Sequence, residues 1–377
     1  MKKKLLLALA LAPLFSALLS AQLVYVGTYT EPQSNSKGIY AYRFDNKTGK
    51  MAPLGLVAEG PNPTFLAVHP NGKFLYAINE IDEYKGKKSG AVTAYSIDKA
   101  TGKLTQLNQV SSGAAGPCHI VIDATGKAAL VANYSGGAFA SLPVMADGKL
   151  GEPASVIQLE GSGPDKARQA APHAHSVVLT KNNKFVFGGD LGTDRVMSYR
   201  LDPATAKIAP NNPAFGMVKP GSGPRHLAFS PDQKHAWVLS EMASTITTFD
   251  FDANTGTLKD VDVISTLPAD FKGQSTTAEI EVDAKGQHVY ASNRGHDSIA
   301  VFDVDSKTGK LKFVQAVTTS GSIPRAFVLD PSGNFILAGN QKTNNISVLR
   351  IDKATGKLTP LGDRIELGAP VTFAFVK

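Results

Sequence analysis

Short apolar segments alternate with polar turns along most of the chain. In one such pair, residues 65–69 and 74–79 flank the turn Pro-Asn-Gly-Lys at 70–73, and in another, residues 327–330 and 335–340 flank a Pro-Ser-Gly turn. Apolar segments bounded by such turns are typical of β-hairpins, and no stretch shows the 3.6-residue period of an amphipathic helix. The pattern predicts an all-β protein.

A longer repeat is superimposed on these hairpins. Its unit is a strand that ends in Asp, followed by a short polar turn and Thr-Gly-Lys. Clear copies are centred on Gly49, Gly102, Gly309 and Gly356, and weaker copies on residues 148, 206 and 256. The seven copies recur at intervals of 46 to 58 residues. About four strands in a unit of roughly 50 residues is typical of a β-propeller blade, so the repeat predicts a seven-bladed β-propeller with four-stranded antiparallel blades.

The two ends of the repeat region complement each other. Residues 23–27 match the second strand of a blade, and residues 370–376 match a first strand. We therefore expect the C-terminal strand to complete the N-terminal blade, which removes two exposed sheet edges. The sequence predicts one propeller domain over residues 22–377. A WD40 propeller is disfavoured because Trp237 is the single tryptophan.

Residues 1–21 have the pattern of a secretory signal peptide. Three lysines at 2–4 precede an apolar stretch over 5–19, and the small residues Ser20 and Ala21 follow. A permanent membrane anchor is the alternative, but this stretch is shorter than the roughly 20 residues that span a bilayer, and Pro13 interrupts it. We expect a cleaved signal and a periplasmic or secreted protein that does not span the membrane.

Composition narrows the possible partners. The formal net charge is +7, and removal of the three lysines at 2–4 would leave +4. No run of Lys and Arg exceeds two residues after the signal, so a nucleic-acid partner is not expected. The single cysteine, Cys118, excludes an intramolecular disulfide framework and a Cys-rich zinc site. We expect a monomer that binds a small molecule.

Certain repeat positions carry side chains that a blade does not need. In a propeller, equivalent positions form a ring about the axis, and the start of the first strand and the end of the second strand lie at the same end of a hairpin. The ionisable side chains in these positions include His175, Arg225, Arg325, His119, His226, Glu80, Glu241 and Arg294, and Tyr29 and Tyr134 stand at the same second-strand position as Glu80, Glu241 and Arg294. We expect them to meet at one mouth of the central channel and to form a functional site. The alternative is a set of structural salt bridges around a solvated channel.

The residue types suggest hydrolytic chemistry on an anionic compound. Arginine binds carboxylate or phosphate and stabilises an oxyanion, while Glu241 or His175 could act as a general base. A Cys118–His119 nucleophile is disfavoured because neighbours in a strand point to opposite faces, and no Gly-x-Ser-x-Gly elbow is present. His173 and His175 could share a metal, but other ligands are few, so no metal or cofactor is predicted.

Several short segments are similar to a known family. They are Gly-Ser-Gly-Pro-Arg-His at 221–226, Ser-Glu at 240–241, Ser-Asn-Arg at 292–294, Ile-Pro-Arg at 323–325 and His-Ser at 175–176. At these positions, and over residues 23–377 as a whole, the chain resembles the seven-bladed β-propeller lactonases, the family of 6-phosphogluconolactonase and carboxy-muconate lactonising enzyme. The resemblance implies a carboxylic ester hydrolase of carbohydrate metabolism that opens a sugar lactone.

The resemblance also implies a metal-independent catalytic site of one His, two Arg and one Glu. These fall on His175, Arg225, Glu241 and Arg294, with Glu241 favoured as the base and the arginines binding the anion and the oxyanion. Arg325, His226, His119 and Glu80 are the expected substrate-binding residues.

Two alternatives to lactone hydrolysis remain open. One is a muconate-type lactonising cycloisomerase, and the other is a non-catalytic propeller that binds a ligand or partner in the cell envelope. A 6-phosphogluconolactonase of the pentose phosphate route is cytosolic, whereas this chain carries a signal. That difference favours an unphosphorylated sugar lactone as substrate.

Overall fold

The computed structural model describes residues 21–376, in which 28 β-strands form seven four-stranded antiparallel sheets. Helix is confined, within this described range, to the single 3-10 turn Pro32–Ser34. The prediction of a seven-bladed all-β propeller is confirmed. Residues 1–20, which hold nearly all of the predicted signal peptide, lie outside the described residues. None of the described residues belongs to a helix long and apolar enough to span a membrane.

The strands are numbered in chain order. Those of the first three blades are β1 (Gln22–Thr28), β2 (Gly38–Phe44), β3 (Met51–Glu59), β4 (Leu66–Val68), β5 (Phe74–Asn79), β6 (Ala91–Ile97), β7 (Leu104–Ser111), β8 (Pro117–Ile122), β9 (Ala128–Asn133), β10 (Ala138–Pro143) and β11 (Ser155–Gln158). Blades four and five contain β12 (Val178–Leu179), β13 (Phe185–Asp190), β14 (Arg195–Asp202), β15 (Lys207–Met217), β16 (Pro224–Phe229), β17 (His235–Ser240), β18 (Thr245–Asp252) and β19 (Thr257–Ser265). Blades six and seven contain β20 (Thr276–Val282), β21 (His288–Arg294), β22 (Ser298–Val304), β23 (Leu311–Thr318), β24 (Pro324–Leu329), β25 (Phe335–Asn340), β26 (Asn345–Ile351) and β27 (Leu358–Glu366), and β28 (Pro370–Phe375) returns to the first blade.

The first blade contains strands from both ends of the chain. Its strand order is β28-β1-β2-β3, and β28 pairs antiparallel with β1 through partners such as Val24 and Phe375. This arrangement confirms the expected closure. It joins the two ends of the repeat region in one hydrogen-bonded sheet, in which β1 is paired on both sides and β28 takes the innermost position that the first strand takes in the other blades.

The Thr-Gly-Lys turns of the repeat attach neighbouring blades to one another. The buried hydroxyl of Tyr25 donates to the carbonyl of Gly102 at 3.0 Å, and the indole of Trp237 donates to the carbonyl of Gly309 at 2.9 Å. Both glycines have positive φ, and a Cβ on Gly309 would lie 2.5 Å from the His235 ring. Glycine is therefore required at these turns both for backbone conformation and for space.

The innermost strands begin with a bulge that determines what lines the channel. The register shifts between Pro117 and His119 in β8, between Pro224 and His226 in β16, and in β24 at the residues flanking Arg325. Each bulge contains one residue with no partner on the second strand, and Arg225 is one of them. Side chains along a strand normally alternate between its two faces, but this alternation fails at a bulge. Neighbouring residues such as Arg225 and His226 therefore both reach the channel.

Candidate active site

A cavity of about 420 Å³ lies at one mouth of the central channel. Its walls are Tyr29, Glu80, Cys118, Tyr134, Arg168, His175, Glu241, Thr276, Arg294 and Arg325. The ends of second strands and the starts of innermost strands supply most of these residues. Glu241 follows β17, Arg294 ends β21, and His175 precedes β12 with its backbone N–H bound to Gly189.

Glu241 is the centre of this cavity. Its Oε1 accepts a hydrogen bond from Arg168 at 2.7 Å, its Oε2 accepts one from Arg225 Nε at 3.1 Å, and Oε2 also forms an ion pair with Arg294 at 2.8 Å. The carboxylate is 5% exposed and Arg225 is 2% exposed. Three guanidiniums therefore hold one buried carboxylate, which fixes the position of all four groups.

This arrangement shifts the pKa values of its members. Burial alone would raise the pKa of Glu241, but Arg294, Arg225 and Arg168 together lower it to about 2. Burial, together with repulsion from Arg294 and Arg325, lowers the pKa of Arg225 to about 10. Glu241 is consequently a stable anion at neutral pH and, in this environment, a weak base.

His175 has the opposite electrostatic character. Burial, followed by repulsion from Arg225 and from the His226 ring, holds its pKa well below the ordinary value of 6.5. The imidazole is therefore neutral at pH 7. Its Nε2 lies 4.0 Å from Glu241 Oε2, too far for a direct hydrogen bond and close enough for one water molecule to contact both atoms.

The opposite wall of the cavity contains a second carboxylate. Glu80 accepts hydrogen bonds from the hydroxyls of Tyr29 at 2.9 Å and Thr64 at 2.6 Å. The Arg325 guanidinium lies over the Tyr29 ring, 5.4 Å from its centroid. Glu80 and Arg325 thus line the cavity that contains Glu241, as expected for substrate-binding residues.

The other two predicted substrate-binding residues are placed differently. His119 and His226 line a second cavity of about 420 Å³ farther along the channel, and neither lines the mouth that holds Glu241. A constriction lined by Arg225, His226, Glu279 and Arg325 separates the two spaces. His226 Nδ1 lies 2.7 Å from Glu279, and burial raises the pKa of Glu279 to about 7. Of the eight side chains expected at one mouth, Arg225, His119 and His226 do not line it, because the innermost strands run along the channel and carry successive residues away from that mouth. The His226 ring remains 5.4 Å from the His175 ring, and the assignment of His119 and His226 to substrate binding stays a prediction.

Arg168 is a functional candidate that the repeat analysis missed. It belongs to the connection between β11 and β12 and not to a strand, so no repeat column contains it. The sequence does indicate a long connection at this point, because the interval between the repeat copies at residues 148 and 206 is the longest of the series at 58 residues. Tyr29 and Tyr134 also line the cavity, at the end of the second strand, where other blades carry Glu80, Glu241 and Arg294.

The geometry supports neither a Cys118 nucleophile nor a metal site at His173 and His175. The Cys118 thiol lies 3.9 Å from His175 Nδ1, but burial raises its pKa and keeps it protonated. The His173 ring stacks on Tyr134, and its Nδ1 lies 3.1 Å from the Tyr134 carbonyl. Within residues 21–376, no group of three or more His, Cys, Asp or Glu side chains is arranged to hold a metal ion.

The sequence matches the family model described as "Lactonase, 7-bladed beta-propeller" over residues 23–375. A 6-phosphogluconolactonase of Bacillus subtilis is 38% identical over 307 residues, which are 81% of this chain and 84% of that protein.

Two solved structures are similar along nearly their whole length. A putative 6-phosphogluconolactonase from Bacteroides fragilis has a TM-score of 0.87 and 36% identity, with 95% of this chain and 98% of that chain covered. The periplasmic gluconolactonase of Pseudomonas aeruginosa has a TM-score of 0.87 and 34% identity, with 95% of this chain and 99% of that chain covered.

Proposed function

The chain belongs to the seven-bladed β-propeller lactonase family and is a lactone hydrolase, and we propose that its substrate is a sugar lactone of the gluconolactone type. The observation that carries the proposal is the cavity in which three arginines hold Glu241 beside the neutral imidazole of His175. This arrangement offers a proton acceptor next to fixed positive charge, which is what attack of water on an ester carbonyl requires.

In this proposal, His175 takes the proton from water and Glu241 does not. Both oxygens of Glu241 are engaged by guanidiniums, whereas the imidazole of His175 is neutral and its Nε2, 4.0 Å from Glu241 Oε2, offers a lone pair to a water molecule. The nucleophilic water lies between His175 Nε2 and Glu241 Oε2. Glu241 orients that water and stabilises the imidazolium that forms when the proton moves to Nε2.

The arginines stabilise the negative charge that develops on the lactone carbonyl oxygen. Arg294 lines the cavity, forms an ion pair with Glu241 at 2.8 Å and donates from Nη2 to the Thr277 carbonyl. Its remaining terminal N–H groups are the donors assigned to the oxyanion. The tetrahedral intermediate then collapses, the C–O bond of the ring breaks, and His175 returns its proton to the departing ring oxygen. The product is the open-chain hydroxy acid, whose carboxyl group then loses its proton to solvent at neutral pH, and the guanidiniums hold the resulting carboxylate.

Replacement of Arg294 by alanine tests this assignment. We expect the purified protein to hydrolyse aldonolactones equally well with and without EDTA, and Arg294→Ala to lower kcat/KM by about 10²-fold, the usual effect of losing one oxyanion donor. Arg364→Ala, which removes an exposed arginine paired with Glu366, is the matched control and should retain full activity. Activity abolished by EDTA, or turnover of a muconate lactone without hydrolysis of any aldonolactone, would contradict the proposal.

We also propose that the protein is exported. The support is the basic and apolar pattern of residues 1–21 and the resemblance to a protein described as a periplasmic gluconolactonase. We expect mature protein isolated from the cell envelope or the medium to begin at Gln22. N-terminal sequencing that finds the lysines at 2–4 retained would contradict export with cleavage.

A further inference from the structure

Arg168 differs from the other arginines of the cavity in its origin and its exposure. It comes from the connection between β11 and β12, and its side chain is 42% exposed, compared with 2% for Arg225 and 13% for Arg294. The guanidinium therefore lies at the rim, between the buried Glu241 carboxylate and solvent. Glu241 and the Tyr134 side chain each take a hydrogen bond from this guanidinium, and since arginine has five N–H donors the remaining ones can bind a ligand that enters the mouth.

The connection that carries Arg168 is held in place by a buried polar network. Gln169 is fully buried, and its side-chain amide donates to the Leu191 carbonyl at 2.8 Å and to Asp194 Oδ1 at 2.9 Å. Asp194 also accepts hydrogen bonds from the backbone of Gly221 and Gly223, in the segment that leads into Arg225. The same carboxylate thus anchors both the rim arginine and the segment that delivers an arginine to the cavity floor.

The charge of the cavity exceeds what its own carboxylates neutralise. Arg168, Arg225, Arg294 and Arg325 bring four positive charges to the cavity and its floor, whereas Glu80 and Glu241 bring two negative charges and Glu279, whose pKa burial raises to about 7, brings at most one more. A neutral lactone leaves this excess uncompensated until the ring opens. A lactone that already carries an anionic group compensates it on binding.

From these observations we propose that Arg168 is a specificity-determining residue that binds an anionic group on the part of the lactone farthest from the reacting carbonyl. The carbonyl must approach His175 and Arg294 in the interior, so a substituent on the far side of the ring points to the rim, where Arg168 lies. The planar guanidinium suits either a phosphate or a carboxylate through paired hydrogen bonds. This inference rests on the proposed lactonase function. A lactone that carries a carboxylate would match the positive charge of the cavity and would also be compatible with the proposed export of the protein.

The test compares lactones that differ in this group, namely glucono-δ-lactone, its 6-phosphate and a lactone of glucaric acid. We expect the wild-type protein to prefer one or both anionic lactones, and Arg168→Ala to reduce that preference in kcat/KM by 10- to 100-fold, mainly through KM. Arg168→Lys should keep part of the preference, because lysine retains the positive charge but lacks the paired N–H donors of the planar guanidinium. Lys166→Ala, which removes an exposed cation two residues away on the same connection, is the matched control and should leave the preference intact.

The outcomes separate this inference from the proposed function. Equal losses on neutral and anionic lactones in Arg168→Ala would overturn the inference, because they would show that Arg168 acts only by holding Glu241. Hydrolysis of no lactone by the wild type would overturn the proposed function alone. Calorimetric binding of gluconate and 6-phosphogluconate would still test Arg168 in that case, since a phosphate preference that the alanine variant retains contradicts the assignment.

Discussion

Replacing His175 by asparagine is expected to lower kcat by about 10³-fold, within the range that general-base catalysis contributes. Asparagine fills a similar volume and keeps a polar group near Glu241, but it cannot accept a proton from water at neutral pH. The protein should remain folded, because the ring makes few hydrogen bonds within the described structure and lies at the cavity surface. Steady-state kinetics on an aldonolactone, with a thermal melt of each variant, measures both quantities.

The matched control is His173→Asn, the same substitution two residues earlier. The His173 ring stacks on Tyr134 and does not line the cavity, so this variant should keep kcat within about threefold of wild type, the range expected of a residue outside the chemistry. Equal losses in the two variants would indicate that the segment has been disturbed and would count against a specific role for His175.

The pH dependence distinguishes the two candidate bases. Because the pKa of His175 lies below 6.5 and that of Glu241 is about 2, a histidine base should give a kcat that is constant from about pH 6.5 upward and falls on the acidic side as the imidazole is protonated. A glutamate base would keep full activity until the pH approached 2. An acidic limb that persists unchanged in the His175→Asn variant would overturn the assignment of His175 as the base.

The repeat made most of the site predictable from the sequence. Blade strands need apolar or small residues, so Glu241, Arg225 and Arg294 stood out in columns where their charges have no structural use. The ends of hairpins in a propeller share one mouth, which allowed residues more than a hundred positions apart to be placed together. Their observed contacts around Glu241 follow directly from that geometry.

The repeat could not predict features that depart from it. Arg168 lies in a connection whose conformation depends on the buried Gln169–Asp194 hydrogen bond, and no column position encodes such a contact. The bulges at Arg225 and Arg325 depend on local backbone geometry, and the two-residue alternation expected of a regular strand does not predict them. His119 and His226 occupy the column one residue farther along the innermost strands, and that column lies deeper in the channel than the column of Cys118, His175 and Arg325.

The strongest effect on folding should come from Glu241→Gln, which we expect to lower the free energy of unfolding by about 3–5 kcal/mol at pH 7. The variant removes the single negative charge that holds Arg168, Arg225 and Arg294, and it leaves buried cations uncompensated. Glu366→Gln is the matched control, because Glu366 pairs with Arg364 on the surface and exposed pairs contribute at most about 1 kcal/mol. Urea denaturation of the three proteins in a buffer free of phosphate and sulfate measures the difference.

The difference between wild type and Glu241→Gln should also depend on pH with a defined sign. The folded-state pKa of Glu241 is lowered from its ordinary value of 4.5 to about 2, so its contribution is complete above pH 4.5 and is lost as the pH falls toward 2. By pH 3 the stability gap should have fallen to about half of its value at pH 7, while the gap for Glu366→Gln changes little.

Phosphate added at pH 7 should stabilise Glu241→Gln more than wild type, because an anion can replace the missing carboxylate between the guanidiniums. Equal stability of Glu241→Gln and wild type at pH 7 in the anion-free buffer would show that Glu241 does not hold the arginines together, and the proposed role of Glu241 in positioning them would fail.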